Sequence, residues 1–157
     1  MSVDRICIRE VDTARPNESV ADAAERMHER AVGTLVVVND DERVVGIVTD
    51  RDLVSRVLAK GCDPRMTTVR EVMTVGPKVI YERTPIESAL LTMRAGRFRR
   101  LPVLNQNKRL VGLVSLDDIL MLLAEEFSQV GRLLKRETPS AIMEQSTSPA
   151  VGRQPIS

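Results

Sequence analysis

An internal duplication constrains the fold of this 157-residue chain more than any other feature. When the sequence is displaced by 66 residues, the segment 16–54 aligns with the segment 82–120 without a gap. Ten of the 39 aligned positions are identical, whereas average amino-acid usage gives roughly two or three by chance. A repeat of this kind predicts that one supersecondary unit occurs twice and that each unit buries its apolar face against the other.

Each copy has the same pattern of apolar residues. Helical spacing of Val20, Ala23, Met27 and their neighbours predicts a first helix, and Ile86, Ala89 and Met93 repeat it. Ser19 and the pair Thr84-Pro85 are typical helix starts. The strands and second helices are predicted from the runs that follow: Leu35–Val38, Val44–Val48 and a helix from Asp50; Leu101–Leu104, Leu110–Val114 and a helix from Leu116.

Polar four-residue connections join the two strands of each copy and predict hairpins. Short extended stretches, Glu10–Ala14 and Val79–Tyr81, are expected before the first helices. The unit is therefore β-α-β-β-α, and the fold class is α+β. We expect the first repeat over residues 1–62, a linker and lead-in strand over 63–78, the second repeat with an extended C-terminal helix over 79–136, and a flexible tail over 137–157.

Composition excludes several functions. A formal charge of +1 gives no electrostatic reason to expect nucleic acid or an anionic membrane as a partner. No apolar run is long enough to cross a bilayer. Cys7 and Cys62 match no metal or redox spacing, which favours reduced thiols in a cytoplasmic protein. One histidine, no metal-ligand cluster and no phosphate-binding glycine loop argue against an enzyme.

The residues that could bind a ligand lie where the second strand of each hairpin is followed by the second helix. Gly46–Asp52 and Gly112–Asp118 both fit the pattern Gly, two apolar residues, Ser or Thr, any two residues, Asp. Ser or Thr followed by Asp three residues later is close to a capping box and needs no ligand. The same geometry also suits a ligand, since a helix N-terminus receives phosphate and a carboxylate accepts hydrogen bonds from ribose hydroxyls.

In these motifs the chain resembles cystathionine-β-synthase (CBS) domains. The linker phrase Val69–Thr74 and the phrases Phe98–Val103 and Gly112–Leu120 carry the resemblance, which covers roughly residues 10–123. It implies two repeats packed about a pseudo-twofold axis as a Bateman module. It also implies two clefts that bind adenosine compounds: AMP, ADP, ATP or S-adenosylmethionine.

The resemblance further implies which residues line each cleft. The first cleft would use Asp52 for ribose and Thr49 near phosphate, with Thr34, Ile47, Arg51, Thr84, Ala89, Phe98 and Arg99 around them. The second cleft would use Asp118, Ser115, Leu113 and Arg100, with Ala23, Val32 and Gly33 from the first copy. No metal ligand is implied.

One substitution breaks the symmetry between the clefts. Arg51 in the first copy becomes Asp117 in the second. Arginine pairs with phosphate and a carboxylate repels it, so we expect the Asp52 cleft to bind phosphate-bearing ligands more tightly. Pairing of Arg100 with Asp117 would offset this difference.

The resulting expectation is a regulatory module that binds an adenosine ligand and signals through an unidentified protein or its own homodimer. Met27, Met93, Met121 and the run Leu120–Ala124 are candidate dimer contacts, although the core would suit them equally. A structural dimer that binds no ligand is the alternative. Nucleic-acid binding has only the cluster Arg97, Arg99 and Arg100 in its favour.

Overall fold

The computed structural model describes residues 1–137, so the predicted tail lies almost entirely outside the described residues. The first copy contains β1 (Thr13–Ala14), α1 (Val20–Arg30), β2 (Thr34–Val38), β3 (Val44–Thr49) and α2 (Asp50–Leu53), which continues as a π-helical turn (Val54–Leu58). A short helix α3 (Val69–Val72) and β4 (Thr74–Val75) follow. The second copy contains β5 (Ile80–Tyr81), α4 (Ile86–Gly96), β6 (Arg100–Leu104), β7 (Leu110–Ser115) and α5 (Leu116–Glu137).

These elements confirm the predicted α+β fold with two β-α-β-β-α repeats. The lead-in stretches are shorter than predicted, since only two residues of each form a strand. Both hairpins have the same register: Thr34 pairs with Thr49 in the first copy, and Arg100 pairs with Ser115 in the second. The lead-in strands β1 and β5 add to them in parallel.

Segments that precede each copy in the sequence pack on the other copy in space. Within the stretch predicted as linker, β4 pairs with β3 and completes a four-stranded sheet in the first copy. At the N-terminus, Ile8 forms an isolated antiparallel bridge with Leu113 beside the three-stranded sheet β5-β6-β7. The two pairings are equivalent. A displacement of 66 residues takes Ile8 to Thr74 and takes Ile47 to Leu113, and Ile47 pairs with Thr74 in the first copy.

The core is aliphatic. In the first copy, α1 and β2 contribute Val20, Met27 and Leu35 to a buried cluster that also includes Val57 and Val69. Met93 of the second copy is likewise buried. Met27 and Met93, which were candidate dimer contacts, therefore belong to the core.

Helix starts follow the sequence in the first copy and depart from it in the second. The Ser19 hydroxyl accepts a hydrogen bond from the Asp22 amide at 3.1 Å, which caps α1 as predicted. No side chain caps α4. Thr84 Oγ1 instead accepts from the Tyr81 amide at 3.0 Å, because the turn after β5 already uses that hydroxyl.

The chain divides into two units, Met1–Met121 and a second unit that begins at Leu122. Both sheets and every cavity discussed below lie within the first unit. Among the described residues, no helix is both long and apolar enough to cross a membrane.

Candidate functional site

A cavity of about 250 Å³ lies between the two copies. The first copy and its lead-in contribute one wall, and β6, β7 and the start of α5 contribute the other. The lining residues are Ile8, Glu10, Val11, Asp12, Ala31, Val32, Gly33, Thr34, Arg100, Leu113, Ser115 and Asp118. The cavity therefore joins the second Gly-x-x-Ser-x-x-Asp motif to the entrance of strand β2.

The Asp118 carboxylate is held in place by Ser115. The Ser115 amide donates to Asp118 Oδ2 at 2.8 Å, and the Ser115 hydroxyl donates to the same oxygen at 2.6 Å. In return, the Asp118 amide donates to Ser115 Oγ at 3.1 Å. Because both bonds that the carboxylate accepts from Ser115 use Oδ2, Oδ1 keeps its capacity to accept a hydrogen bond from a ligand hydroxyl.

Thr34 supplies a polar group without a partner on the opposite wall. The residue is 6% exposed, and within residues 1–137 its Oγ1 is a buried side-chain oxygen with no hydrogen-bond partner. An unsatisfied buried hydroxyl costs roughly 1–3 kcal/mol, so folded proteins rarely keep one without a reason. Thr34 is also one of the residues that line the cavity.

A sharp turn of the backbone between α1 and β2 forms part of the cavity wall. Ala31 ends α1 in the left-handed region with φ 52°, which turns the chain sharply into Val32 and Gly33. The Gly33 carbonyl accepts from the Asp50 amide at 3.0 Å. A Cβ on Gly33 would lie 2.9 Å from Asp50 Oδ2, so glycine lets the Asp50 carboxylate lie close to this wall.

The equivalent motif in the first copy has a different environment. Thr49 and Asp52 form the same capping box, with the Thr49 amide donating to Asp52 Oδ2 at 2.9 Å. Here, however, Arg56 Nη2 lies 3.7 Å from Asp52 Oδ1. Arg56 Nη1 also donates to the Val72 carbonyl at 2.6 Å, which fixes the guanidinium. Position 122, the counterpart of Arg56, is a leucine.

Two expectations need correction. Thr34, expected in the Asp52 cleft, lines the cavity with Asp118 instead, because β2 begins on that side of the first copy. Asp117 pairs with Arg99 rather than Arg100, at 3.7 Å between Arg99 Nη2 and Asp117 Oδ1. Arg100 is thereby left to line the cavity.

Some of the other residues expected in the clefts line the cavity, and the rest lie elsewhere in the fold. Val32, Gly33, Leu113 and Ser115 line the cavity, whereas Ala23, which was expected beside them, is fully buried and is not among the lining residues. Ala89, which was expected in the Asp52 cleft, is also fully buried. Ile47 pairs with Thr74 in the sheet. Arg51 is exposed, and Phe98 packs against Gly96. The Thr84 carbonyl accepts from the Val3 amide at 3.0 Å.

Sequence reasoning missed the lead-in segment as part of the site. Ile8, Glu10, Val11 and Asp12 line the cavity, as does Ala31 at the end of α1. The segment was expected to be extended, but nothing in its composition indicates a binding role. Only the crossing of the N-terminal segment to β7 brings it beside Leu113.

Comparisons with known proteins agree with this architecture. The CBS domain family model matches residues 3–59 and 69–125, two segments separated by the same 66 residues as the duplication. An uncharacterized protein of Methanopyrus kandleri, MK0525, is 33% identical over 120 residues. That match covers 76% of this chain and 61% of the relative, so the chain spans less than two thirds of that relative's length.

Two solved structures have the same fold. The CBS domain pair of protein MJ0100, in complex with 5′-methylthioadenosine and S-adenosyl-L-methionine, has a TM-score of 0.72 at 26% identity, covering 80% of this chain and 98% of that one. CBSX2 in complex with AMP has a TM-score of 0.68 at 26% identity, covering 79% and 96%. The duplication, the matched segments and the shared fold lead to one conclusion: the chain belongs to the CBS domain family and carries two CBS repeats in tandem.

Proposed function

We propose that this chain is a regulatory module that binds an adenosine-containing ligand, such as AMP, ADP, ATP or S-adenosylmethionine, in the cavity beside Asp118. The unpartnered Thr34 hydroxyl carries the proposal, because a buried donor that faces no protein partner is explained by a ligand that supplies one. The related CBS proteins that bind AMP, S-adenosylmethionine and 5′-methylthioadenosine support the adenosine class.

The ligand would be held from both copies. Asp118 Oδ1 is the acceptor for ribose hydroxyls, and Arg100 is the cation for a phosphate or carboxylate. Val32 and Leu113 supply apolar walls for the base. Since the cavity lies between the copies, an occupied site ties them together and shifts the equilibrium toward the conformation that binds the ligand better.

The environments of the two aspartates favour the Asp118 site over the Asp52 site, in contrast to the ranking expected from Arg51 and Asp117. Arg56 already engages Asp52 Oδ1, so a ribose would have to compete with an internal cation. Asp117 is paired with Arg99, which weakens its repulsion of a phosphate. We therefore infer one principal ligand site per chain.

The output would pass through a second copy and an unidentified regulated protein, with no catalysis by this chain. Helix α5 carries Leu123, Phe127 and Val130 at three- and four-residue spacing, with 39%, 74% and 51% of each residue exposed. Such a stripe is typical of a helix that packs against another helix. Glu125 and Glu126 precede the stripe's basic end, Arg132–Arg136, so an antiparallel pair would place opposite charges together.

Isothermal titration calorimetry on protein stripped of ligand tests the proposal. AMP, ADP, ATP and S-adenosylmethionine are titrated separately, and at least one is expected to bind with micromolar affinity at about one site per chain. Absence of heat for all four, with circular dichroism showing a folded protein, would reject the adenosine class and favour a structural dimer that binds no ligand.

A further inference from the structure

The side chains that line the Asp118 cavity carry more negative than positive charge. Glu10, Asp12 and Asp118 contribute carboxylates, and Arg100 is the one cationic side chain that residues 1–137 contribute to the lining. Arg30 Nε lies 2.8 Å from Asp12 Oδ1 and neutralises that carboxylate from outside. The charges that remain in the lining are the two carboxylates of Glu10 and Asp118 and the single guanidinium of Arg100.

The neighbouring charges do not change this balance. Asp117, next to Asp118 in the chain, is neutralised by Arg99, with 68% and 70% of the two side chains exposed. Asp50 approaches Gly33 on the opposite wall and adds another carboxylate nearby. A ligand in this cavity therefore meets one guanidinium within a negative surround.

We propose that this cavity selects adenosine ligands that carry at most one phosphate and discriminates against ADP and ATP. The inference rests on the proposed function and narrows its ligand class. One guanidinium matches one phosphate with two parallel hydrogen bonds. Each further phosphate adds negative charge without a further cation and meets the exposed Glu10 at the rim.

The size of the cavity supports the same selection. Its volume of about 250 Å³ lies below the range of about 300–1,000 Å³ that is typical for small-molecule sites. A nucleoside fills such a cavity, and a chain of further phosphates extends past the rim into solvent. Those phosphates therefore gain few contacts within the cavity and still experience repulsion from its carboxylates.

Calorimetry with AMP, ADP, ATP and 5′-methylthioadenosine, in buffer without divalent cations, tests the inference. ATP is expected to bind at least ten-fold more weakly than AMP, with ADP between them. Glu10→Gln removes one negative charge from the lining, so it should bring the affinities of ATP and AMP at least two-fold closer. Glu25→Gln makes the same change at an exposed position on α1 that does not line the cavity, and it should leave the ratio unchanged.

The outcomes separate this inference from the function on which it rests. If ATP binds as tightly as AMP or more tightly, or if Glu10→Gln and Glu25→Gln change the ratio equally, the charge selection is wrong while the adenosine site stands. If none of the four compounds binds and S-adenosylmethionine does not bind either, the proposed function itself fails.

Discussion

Ile8 and Leu113 exchange both of their backbone hydrogen bonds, with a nitrogen–oxygen distance of 2.9 Å in each direction, although they come from opposite halves of the duplicated chain. Through this pair the N-terminal segment becomes part of the second repeat. It also delivers Ile8 and the residues after it to the wall of the Asp118 cavity.

The N-terminal segment should therefore stabilise the whole fold. Val3 is fully buried, and its amide donates to the Thr84 carbonyl of the second copy. Val3→Ala should lower the free energy of unfolding by about 2 kcal/mol, because buried apolar carbons are lost and a cavity remains. Urea denaturation measures the change. Arg5→Ala, at an exposed position two residues further on, is the control for a change in this segment; a loss for Val3→Ala no larger than for this control would argue against the crossing.

Thr34 offers a test in which stability and affinity change in opposite directions. Thr34→Val keeps the shape of the side chain and removes an unsatisfied hydroxyl, so the ligand-free protein should be as stable as wild type or more stable. Adenosine-ligand affinity should fall roughly ten-fold as one hydrogen bond is lost. Thermal unfolding and calorimetry measure the two effects. Thr34→Ser retains the hydroxyl and should retain most of the affinity; equal binding by all three proteins would remove Thr34 from the site.

The duplication supplies a matched pair of aspartate variants. Asp52→Ala and Asp118→Ala each remove one capping box, and each should destabilise the protein by about 1 kcal/mol. Only Asp118→Ala should weaken ligand binding, by roughly ten- to a hundredfold, since a charge-assisted hydrogen bond to the ribose is lost. Calorimetry on both variants distinguishes the sites. A larger loss in Asp52→Ala would assign the ligand to the first copy after all.

The thiol of Cys7 should react slowly with thiol reagents, and the rate of this reaction should depend strongly on pH. Burial raises the pKa of Cys7 above its usual value of 9.0, so the folded protein holds the thiol proton at pH values where the unfolded chain has lost it. Stability linked to this group is therefore present below pH 9 and decreases as the pH rises further. The pH dependence of labelling by a thiol reagent, measured on the folded and on the denatured Cys62→Ser protein, should have its midpoint at a higher pH in the folded protein. Equal midpoints would contradict the raised pKa.

Self-association should depend on the exposed stripe of α5. Phe127→Asp places a charge in the centre of the stripe and should convert a dimer to a monomer, because an unpaired charge at a helix interface is costly. Analytical ultracentrifugation gives the mass. Gln129→Asp makes the same charge change away from the stripe and should leave the dimer intact. A Phe127→Asp protein with unchanged mass would exclude this interface.

Local features of the fold could be predicted from the sequence because they depend on residues close together in the chain. The hairpins, the helices from Asp50 and Leu116, and the Ser19 cap all depend on spacings of a few residues. The capping boxes at Thr49 and Ser115 are of the same kind, since a hydroxyl and a carboxylate three residues apart meet at any helix start.

The sequence by itself determined the duplication, the β-α-β-β-α unit and the aspartates at the two helix starts. Only the tertiary structure decided that Ile8 bridges Leu113, that Thr34 lies beside the Asp118 cavity, and that Arg56 pairs with Asp52. Apolar periodicity indicates which side of a residue is buried but not which distant segment covers it. The partner of a long polar side chain is likewise set by the packing of whole elements. For this reason the two copies share one sequence pattern, and Asp52 and Asp118 nevertheless have different surroundings.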